Sequence, residues 1–258
     1  MSKQTVDNVG VVILAAGHGT RMKSELPKVM HELDGKPLVG HVVDNVQAAG
    51  ISKKPVVVVS PTSTLVREYF GDTVEYALQE KQLGTGHAAG SAASVLRGTV
   101  DHVIVLYGDM PFLRPDSIAR LARRHIERDN TLTLMTLTVP NFDAPYTPFY
   151  NFGRIIRDSE GHIVDSIEKK DATEIQREIK ELNPCYYCFK ADWLWEHVAK
   201  LENNNAQGEY YLTDLVHIAI QEGVRISSVA TDPHEALGIN SKEDLELAQK
   251  AMSFRKDV

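Results

Sequence analysis

Two cations, Arg21 and Lys28, follow closely on a pair of glycines, Gly17 and Gly19, in the stretch VGVVILAAGHGTRMKSELPK. Glycines let a main chain turn tightly and let a ligand approach backbone N–H groups with no Cβ in the way. Cations beside such a turn suit a phosphate-bearing ligand. A carboxylate, Asp109, stands just after the apolar run Val103–Leu106, where a strand end would carry it to a ligand-binding edge. The glycine loop is not a Walker A loop, because its spacing and the Gly-Lys-Ser/Thr ending are missing. As a dinucleotide fingerprint it also fails: Met22 stands where a third glycine belongs, and the next strand ends at Ser60, not at a ribose-binding acid. No Ser/His/Asp constellation is evident. Cys185 and Cys188 are spaced C-x-x-C but lie in a strand-like run with no second pair to complete a zinc site, and they read as structural.

These residues need rigid elements to carry them. Val11–Ala16 is unbroken apolar sequence, the pattern of a strand buried on both faces of a parallel sheet. Further strands are expected at Pro55–Ser60, Val74–Leu78, Val103–Leu106 and Thr131–Val139. Helical spacing falls at Pro37–Ala49, Leu65–Phe70, through Ala88, Ala92 and Val95, and at Arg114–Glu127. This alternation implies a parallel α/β sheet, in which ligands bind beyond the C-terminal strand ends. The Gly17 loop, the Gln79–Gly86 loop and Asp109 all fall on that edge. After Pro140 the texture changes. Arg154–Ile156 and His162–Ile167 flank a turn composition and predict a hairpin carried on the main sheet. Beyond it, Lys170–Ile179 reads as a helix, Pro184–Phe189 as a strand, Ala191–Leu201 and Leu212–Glu222 as helices, and Ile226–Ala230 as a strand. Ser241 is expected to cap a last helix, with Asp244 in the reciprocal capping position.

The totals narrow the classes. With 258 residues the chain supports a real core. A net charge of −7 argues against a general nucleic-acid binder, so an anionic substrate must be held by local cations or a metal. No apolar run approaches a membrane span of ~20 residues. The polar start MSKQTVDN lacks a signal-peptide core, so a cytoplasmic location is expected.

The string L-A-A-G-x-G-T-R-M, followed by L-P-K at Leu26–Lys28, resembles the signature of the sugar-nucleotide pyrophosphorylase family. Q-x-x-Q-L-G-T-G-H-A at Gln79–Ala88, Y-G-D at Tyr107–Asp109, G-R-I at Gly153–Ile155, K-D-A-T at Lys170–Thr173, the run Asn203–Asp214 and G-I-N at Gly238–Asn240 follow in order. Together they resemble the N-terminal uridylyltransferase domain of the bacterial bifunctional enzymes that make UDP-N-acetylglucosamine. The resemblance implies a Rossmann-like nucleotidyltransferase (glycosyltransferase-A-like) fold: a mixed, mostly parallel sheet flanked by helices with a small inserted β-hairpin. It implies one domain over residues 1–258, with a nucleotide-binding half (1–140), a sugar-binding half (141–240) and a C-terminal helix and tail (241–258). No hexapeptide repeat occurs, so no left-handed β-helix acetyltransferase domain is expected in it.

The implied activity is transfer of UMP from UTP to N-acetylglucosamine 1-phosphate, with release of pyrophosphate. Arg21 and Lys28 would hold the pyrophosphate and α-phosphate, and Asp109 with Asn240 would ligate Mg²⁺. Leu14, Ala15, Ala16 and Gly17 would line the nucleotide pocket with Gly84 and Thr85. Gln79, whose amide both donates and accepts, would match the imide edge of uracil. Tyr107 and Gly108 lead into Asp109. Gly153, Glu168 and Asn183 would hold the sugar, with Tyr211 and Thr213 as neighbours. His18, His31 and His87 read as structural or solvent-facing. Three departures cluster on the sugar half: Pro184-Cys185 replaces the usual Thr/Ser-Gly, Phe152 replaces tyrosine, and Lys169 replaces histidine or glutamate. The rivals are the same transfer to another sugar 1-phosphate such as glucose 1-phosphate, and a regulatory subunit that has lost catalysis. Retention of Arg21, Lys28, Asp109 and Asn240 weighs against the second. A nicotinamide-dependent oxidoreductase is disfavoured by the failed fingerprint. The partners expected are small molecules only, with no nucleic acid or membrane, for a monomer or weak homo-oligomer.

Overall fold

The strands are β1 (Val9–Leu14), β2 (Glu32–Leu33), β3 (Lys36–Pro37), β4 (Val56–Val59), β5 (Glu75–Leu78), β6 (His102–Tyr107), β7 (Leu132–Thr138), β8 (Gly153–Arg157), β9 (Ile163–Ile167), β10 (Glu181–Asn183), β11 (Tyr187–Lys190) and β12 (Ser227–Ala230). The helices are α1 (Leu38–Ala48), α2 (Thr64–Phe70), α3 (Thr85–Ser91), α4 (Ala93–Leu96), α5 (Pro115–Glu127), α6 (Glu174–Arg177), α7 (Ala191–His197), α8 (Asp214–Gln221) and α9 (Lys242–Lys256). The structure, a computed structural model, describes residues 8–17, 19, 22, 24–205 and 207–256.

One mixed sheet runs in the order β5-β4-β1-β6-β11-β7-β10-β8-β9, with β12 also paired to β7. The first four strands are parallel, in a register that sets Val12 against both Val56 and Val105. β11 then inserts antiparallel between β6 and β7. The hairpin β8–β9 is joined to the sheet through β10, which pairs β7 at Leu182↔Leu137 and β8 at Leu182↔Arg154.

The apolar runs are explained by their two faces. Side chains alternate along a strand. Val11, Ile13, Ile104 and Leu106 pack with Val42, Val46, Ile118 and Leu121 of α1 and α5. Val12, Leu14, Val103 and Val105 pack with Ala88, Ala89, Leu194, Trp195 and Val216 of α3, α7 and α8. Both faces are covered, so a strand such as Val56–Val59 has no polar position to spare.

Several elements differ from the sequence reading. The expected helix over Lys170–Ile179 is a single turn, α6, opened by a capping box in which Thr173 Oγ1 accepts from the Gln176 N–H. The expected strand Pro184–Phe189 begins only at Tyr187, because Cys185 turns into the left-handed region (φ 64°). The small-residue helix divides into α3 and α4 at Ala92, whose N–H donates to Ala89 O three residues back (3.1 Å). No helix among the described residues is long and apolar enough to cross a membrane.

Candidate functional site

The C-terminal ends of β1, β5 and β6 carry three groups of polar residues. At the first, Lys28 lies on a 3-10 turn, Lys28–Met30. Gly19 permits its approach: at φ 60°, a Cβ on Gly19 would come 2.5 Å from the Lys28 Cβ. The Lys28 ammonium donates to the Asp109 carboxylate and, at 3.1 Å, to Asn240 Oδ1. Asp109 is set by its neighbours. Gly108 N–H donates to Leu14 O (2.9 Å), and a Cβ on Gly108 would press 3.1 Å from that oxygen. Asn240 is brought in by the chain before α9: Ile239 N–H donates to Asp109 O (2.9 Å). Asp244 Oδ2 accepts from Asn240 N–H and Ser241 N–H, both at 2.9 Å, while Ser241 Oγ accepts from Asp244 N–H at 3.1 Å. The Lys28 and Asp109 side chains are 17% and 14% exposed, so their charges meet in partly desolvated surroundings.

Two oxygens, one carboxylate and one amide, therefore converge on a single cation. That donor set suits a hard cation such as Mg²⁺, which takes few protein oxygens and fills its shell with water and phosphate. No cluster of three or more His, Cys, Asp or Glu among the described residues offers an all-protein cage for a metal. Leu14, Ala15 and Ala16 are buried beside this corner and Gly17 is exposed. Arg21 and His18 lie outside the described residues.

The second group follows β5. Gln79 is 3% exposed, and its amide nitrogen donates to Gly84 O (3.1 Å) and to His87 Nδ1 (3.1 Å). His87, read from the sequence as structural or solvent-facing, thus orients Gln79. Gly84 sits at φ 115°, and a Cβ there would meet Tyr210 O at 2.6 Å. The loop is laced to 209–212: Tyr210 N–H donates to Leu83 O (2.8 Å), Gly86 N–H to Tyr210 O (2.8 Å), and Leu212 N–H to Thr85 Oγ1 (3.0 Å).

The third group surrounds a cavity of about 760 Å³ whose lining includes Thr85, Tyr107, Glu168, Cys185, Tyr211 and Thr213, with Asn151, Lys169 and Arg177. Thr85 follows the Gln79 loop and Tyr107 precedes Asp109 by two residues, so the cavity borders the other two groups. Burial raises the Glu168 carboxyl above its ordinary value, and the Thr213 hydroxyl partly offsets this. Tyr211 OH donates to Gln207 Oε1 at 2.5 Å. Gly153 lies beside Glu168: a Cβ on it would come 3.7 Å from Glu168 Oε1.

Asn183 pairs with Gly153 across β10 and β8, where a Cβ on Gly153 would come 3.7 Å from the Asn183 Cβ. It is 2% exposed and its amide is engaged within the protein. Nδ2 donates to Tyr187 OH (2.7 Å) and Ser166 Oγ (2.9 Å), and Oδ1 accepts from Cys185 N–H (2.8 Å). It holds the turn that presents Cys185 to the cavity. Burial pushes that thiol up to about 12, and the nearby Glu168 carboxylate adds to the effect. The sequence marked Lys169 as a departure from a pattern, and Cys185 as that and as half of a structural C-x-x-C pair. Their place in the cavity wall, with Asn151 and Arg177, depends on contacts across β8, β9 and β10 that no local spacing reveals.

Comparison with known proteins gives a consistent picture. The model of the MobA-like NTP transferase domain matches residues 11–211. "Bifunctional protein GlmU" of Symbiobacterium thermophilum is 43% identical over 256 residues, covering 98% of this chain and 52% of that protein. The protein of the same name from Geobacter metallireducens is 42% identical over 241 residues, covering 92% of this chain and 49% of its own length. The chain spans about half the length of these relatives. Among solved structures, a UDP-glucose pyrophosphorylase complexed with UDP-glucose superposes with a TM-score of 0.77 over 96% of this chain and 99% of its own, at 17% identity. That likeness shows the fold: a nucleotidyltransferase sheet of the Rossmann-like kind.

Proposed function

We propose that this chain, which belongs to the MobA-like NTP transferase domain family, transfers UMP from UTP to N-acetylglucosamine 1-phosphate. A phosphate oxygen of the sugar phosphate attacks the α-phosphorus of UTP. The bond from that phosphorus to the oxygen bridging to the β-phosphate breaks, and pyrophosphate leaves with the bond's electron pair. Both reactants are anions, so the task is alignment and charge neutralisation. The observation that carries this reading is the meeting of Lys28, Asp109 and Asn240 on the same edge as the Gln79 loop and the Glu168 cavity. Relatives 42–43% identical along nearly the whole chain support it.

In this reading the Gln79 corner takes the base, and its amide is pre-oriented by Gly84 and His87. Lys28, with Arg21, supplies positive charge to the phosphates. Asp109 and Asn240 would hold Mg²⁺, which supplies charge neutralisation between the phosphates of the two substrates. Glu168 accepts from sugar hydroxyls, flanked by Tyr211, Thr213 and the small Gly153. The domain would work in the cytoplasm, with small-molecule substrates, as a monomer or weak homo-oligomer.

One observation favours a second reading, transfer to a sugar without the acetamido group, such as glucose 1-phosphate. The Cys185 thiol occupies space in the cavity that a glycine would leave open. The test is pyrophosphate release from UTP and Mg²⁺ with a panel of sugar 1-phosphates. Highest kcat/KM with N-acetylglucosamine 1-phosphate is expected. Preference for glucose 1-phosphate selects the second reading, and no release with any sugar overturns both.

A further inference from the structure

Arg154, the second residue of β8, is fully buried, 0% exposed, and forms no ion pair among the described residues. A buried guanidinium without a carboxylate is costly unless its donors are satisfied. Here Nη1 donates to Tyr150 O (2.8 Å) and to Phe152 O, and Nη2 donates to Arg177 O (3.0 Å), while Nε has no hydrogen-bond partner. The cation also lies 5.1 Å from the ring centre of Phe142 and 5.2 Å from that of Tyr150. Each of these rings carries a second cation, Lys180 Nζ at 4.0 Å on Phe142 and Lys169 Nζ at 4.6 Å on Tyr150. Cations and aromatic faces thus alternate from the strand interior out to the cavity rim.

The placement of the three carbonyls is what matters. Tyr150 and Phe152 are the two neighbours of Asn151, so one guanidinium fixes the backbone on both sides of that residue. The third carbonyl belongs to Arg177 itself. Lys169 joins the same unit: its ammonium donates to Asn151 Oδ1 (3.0 Å), and its carbonyl accepts from Arg177 Nε (3.3 Å). Asn151, Lys169 and Arg177 all line the cavity assigned above to the sugar. Arg154 and Gly153 are adjacent on β8 and point to opposite faces. A Cβ on Gly153 would come 3.7 Å from Glu168 Oε1, while Arg154 reaches the carbonyls on either side of Asn151 and that of Arg177.

We infer that Arg154 is a positioning residue for the acceptor, holding Asn151, Lys169 and Arg177 in the arrangement that binds the sugar phosphate without touching it. This rests on the transfer reading given above. It requires the planar fork of arginine, because one nitrogen serves the two carbonyls around Asn151 while the other reaches Arg177. A lysine ammonium keeps the charge and loses the span.

The test is steady-state kinetics of wild-type protein and the variants R154K, N151A, K169M and R154K/N151A, with UTP and the sugar 1-phosphate that the wild type uses best. R154K is expected to raise KM for the sugar 1-phosphate by about 10-fold or more, as loosened positioning does, with KM for UTP and kcat within a few-fold of wild type. N151A and K169M leave the buried cation in place, and each is expected to raise the same KM alone. Because Arg154 acts through Asn151, the double variant should be little worse than the more impaired single variant. Multiplicative effects of R154K and N151A, or an R154K protein with unchanged acceptor KM, overturn the inference. If R154K does not fold, N151A and K169M decide: wild-type acceptor KM in both overturns it, and a selective rise upholds it. Wild-type turnover in the same assay separates this outcome from failure of the transfer reading, which would leave every sugar phosphate unused.

Discussion

At Asp109 a single carboxylate has two neighbours that need it: the Lys28 ammonium and, in the proposed reaction, a divalent ion. Asp109→Ala leaves Lys28 partly buried with only the Asn240 oxygen as a described partner. Pyrophosphate release is expected to fall by at least about 100-fold, as removal of a group that stabilises transition-state charge does. The melting temperature should move by no more than about 5 °C, because the pair still reaches solvent. A turnover assay beside a thermal melt checks both halves, and normal turnover would remove Asp109 from the chemistry. The two cysteines give a second expectation. Cys185 is pushed up to about 12 by burial, and burial alone raises buried Cys188 well above its ordinary value. At pH 8 the Cys185 thiolate fraction is on the order of one in ten thousand. Neither thiol should be alkylated by iodoacetamide in the native protein, and both should react after unfolding, as read by mass spectrometry. Fast native labelling of Cys185 would show a solvated or activated thiol. The residue scale is also where the sequence said least by itself. Local spacing sets Lys28 beside the glycine turn but does not connect it to Asn240. Their meeting spans most of the chain, and only the ordered motifs pointed to it.

The Gln79–His87 loop is an element whose conformation does the positioning. Gly84 cannot carry a side chain without collision, because its Cβ would meet Tyr210 O at 2.6 Å and Tyr210 N at 2.8 Å, and its φ is 115°. Gly84→Ala is expected to cost at least about 2 kcal/mol of stability, from backbone strain and overlap together. It should also raise KM for UTP, since the Gly84 carbonyl and His87 aim the Gln79 amide. Urea denaturation and UTP kinetics check the two effects, and unchanged values for both would mean that the loop adapts at no cost. Much of the secondary structure was plain in the sequence. The runs around Val12, Val57 and Val105 have no polar alternation, and only strands covered on both faces hide such runs. Elements governed by tertiary contacts were less plain. Lys170–Ile179 has helical composition, but the carbonyl of Arg177 is taken by Arg154 and the helix stops after one turn. β11 starts late because Pro184 supplies no N–H and Cys185 adopts a left-handed conformation held by Asn183.

Across the whole molecule, the two ends of the sheet serve different ends. The C-terminal end of β6 leads to Asp109. Its N-terminal residue, His102, packs its ring edge-on against His125 of α5, with centroids 5.0 Å apart. His125 is 0% exposed, and its Nδ1 pairs with Thr133 Oγ1 of β7 (3.0 Å), while Nε2 has no hydrogen-bond partner. Burial, then the neighbouring His102 and Lys190, hold His125 down from 6.5 to about 3, with Asp129 opposing. The folded pKa lies below the unfolded one, so the unfolded chain takes up the proton first. Stability is complete above about pH 6.5 and is lost as the pH falls toward 3. For His125 alone the loss at pH 5 is about 2 kcal/mol. Urea denaturation of wild type and His125→Gln at pH 7 and pH 5 isolates that share. Whatever the substitution does to stability at pH 7, the drop between the two pH values should shrink by about 2 kcal/mol in the variant. Because these histidines sit at the far end of β6 from Asp109, the variant's KM values at pH 7 should stay at wild type. A drop of the same size in both proteins would place the acid sensitivity on another group, with His102 next in line, since burial lowers it too.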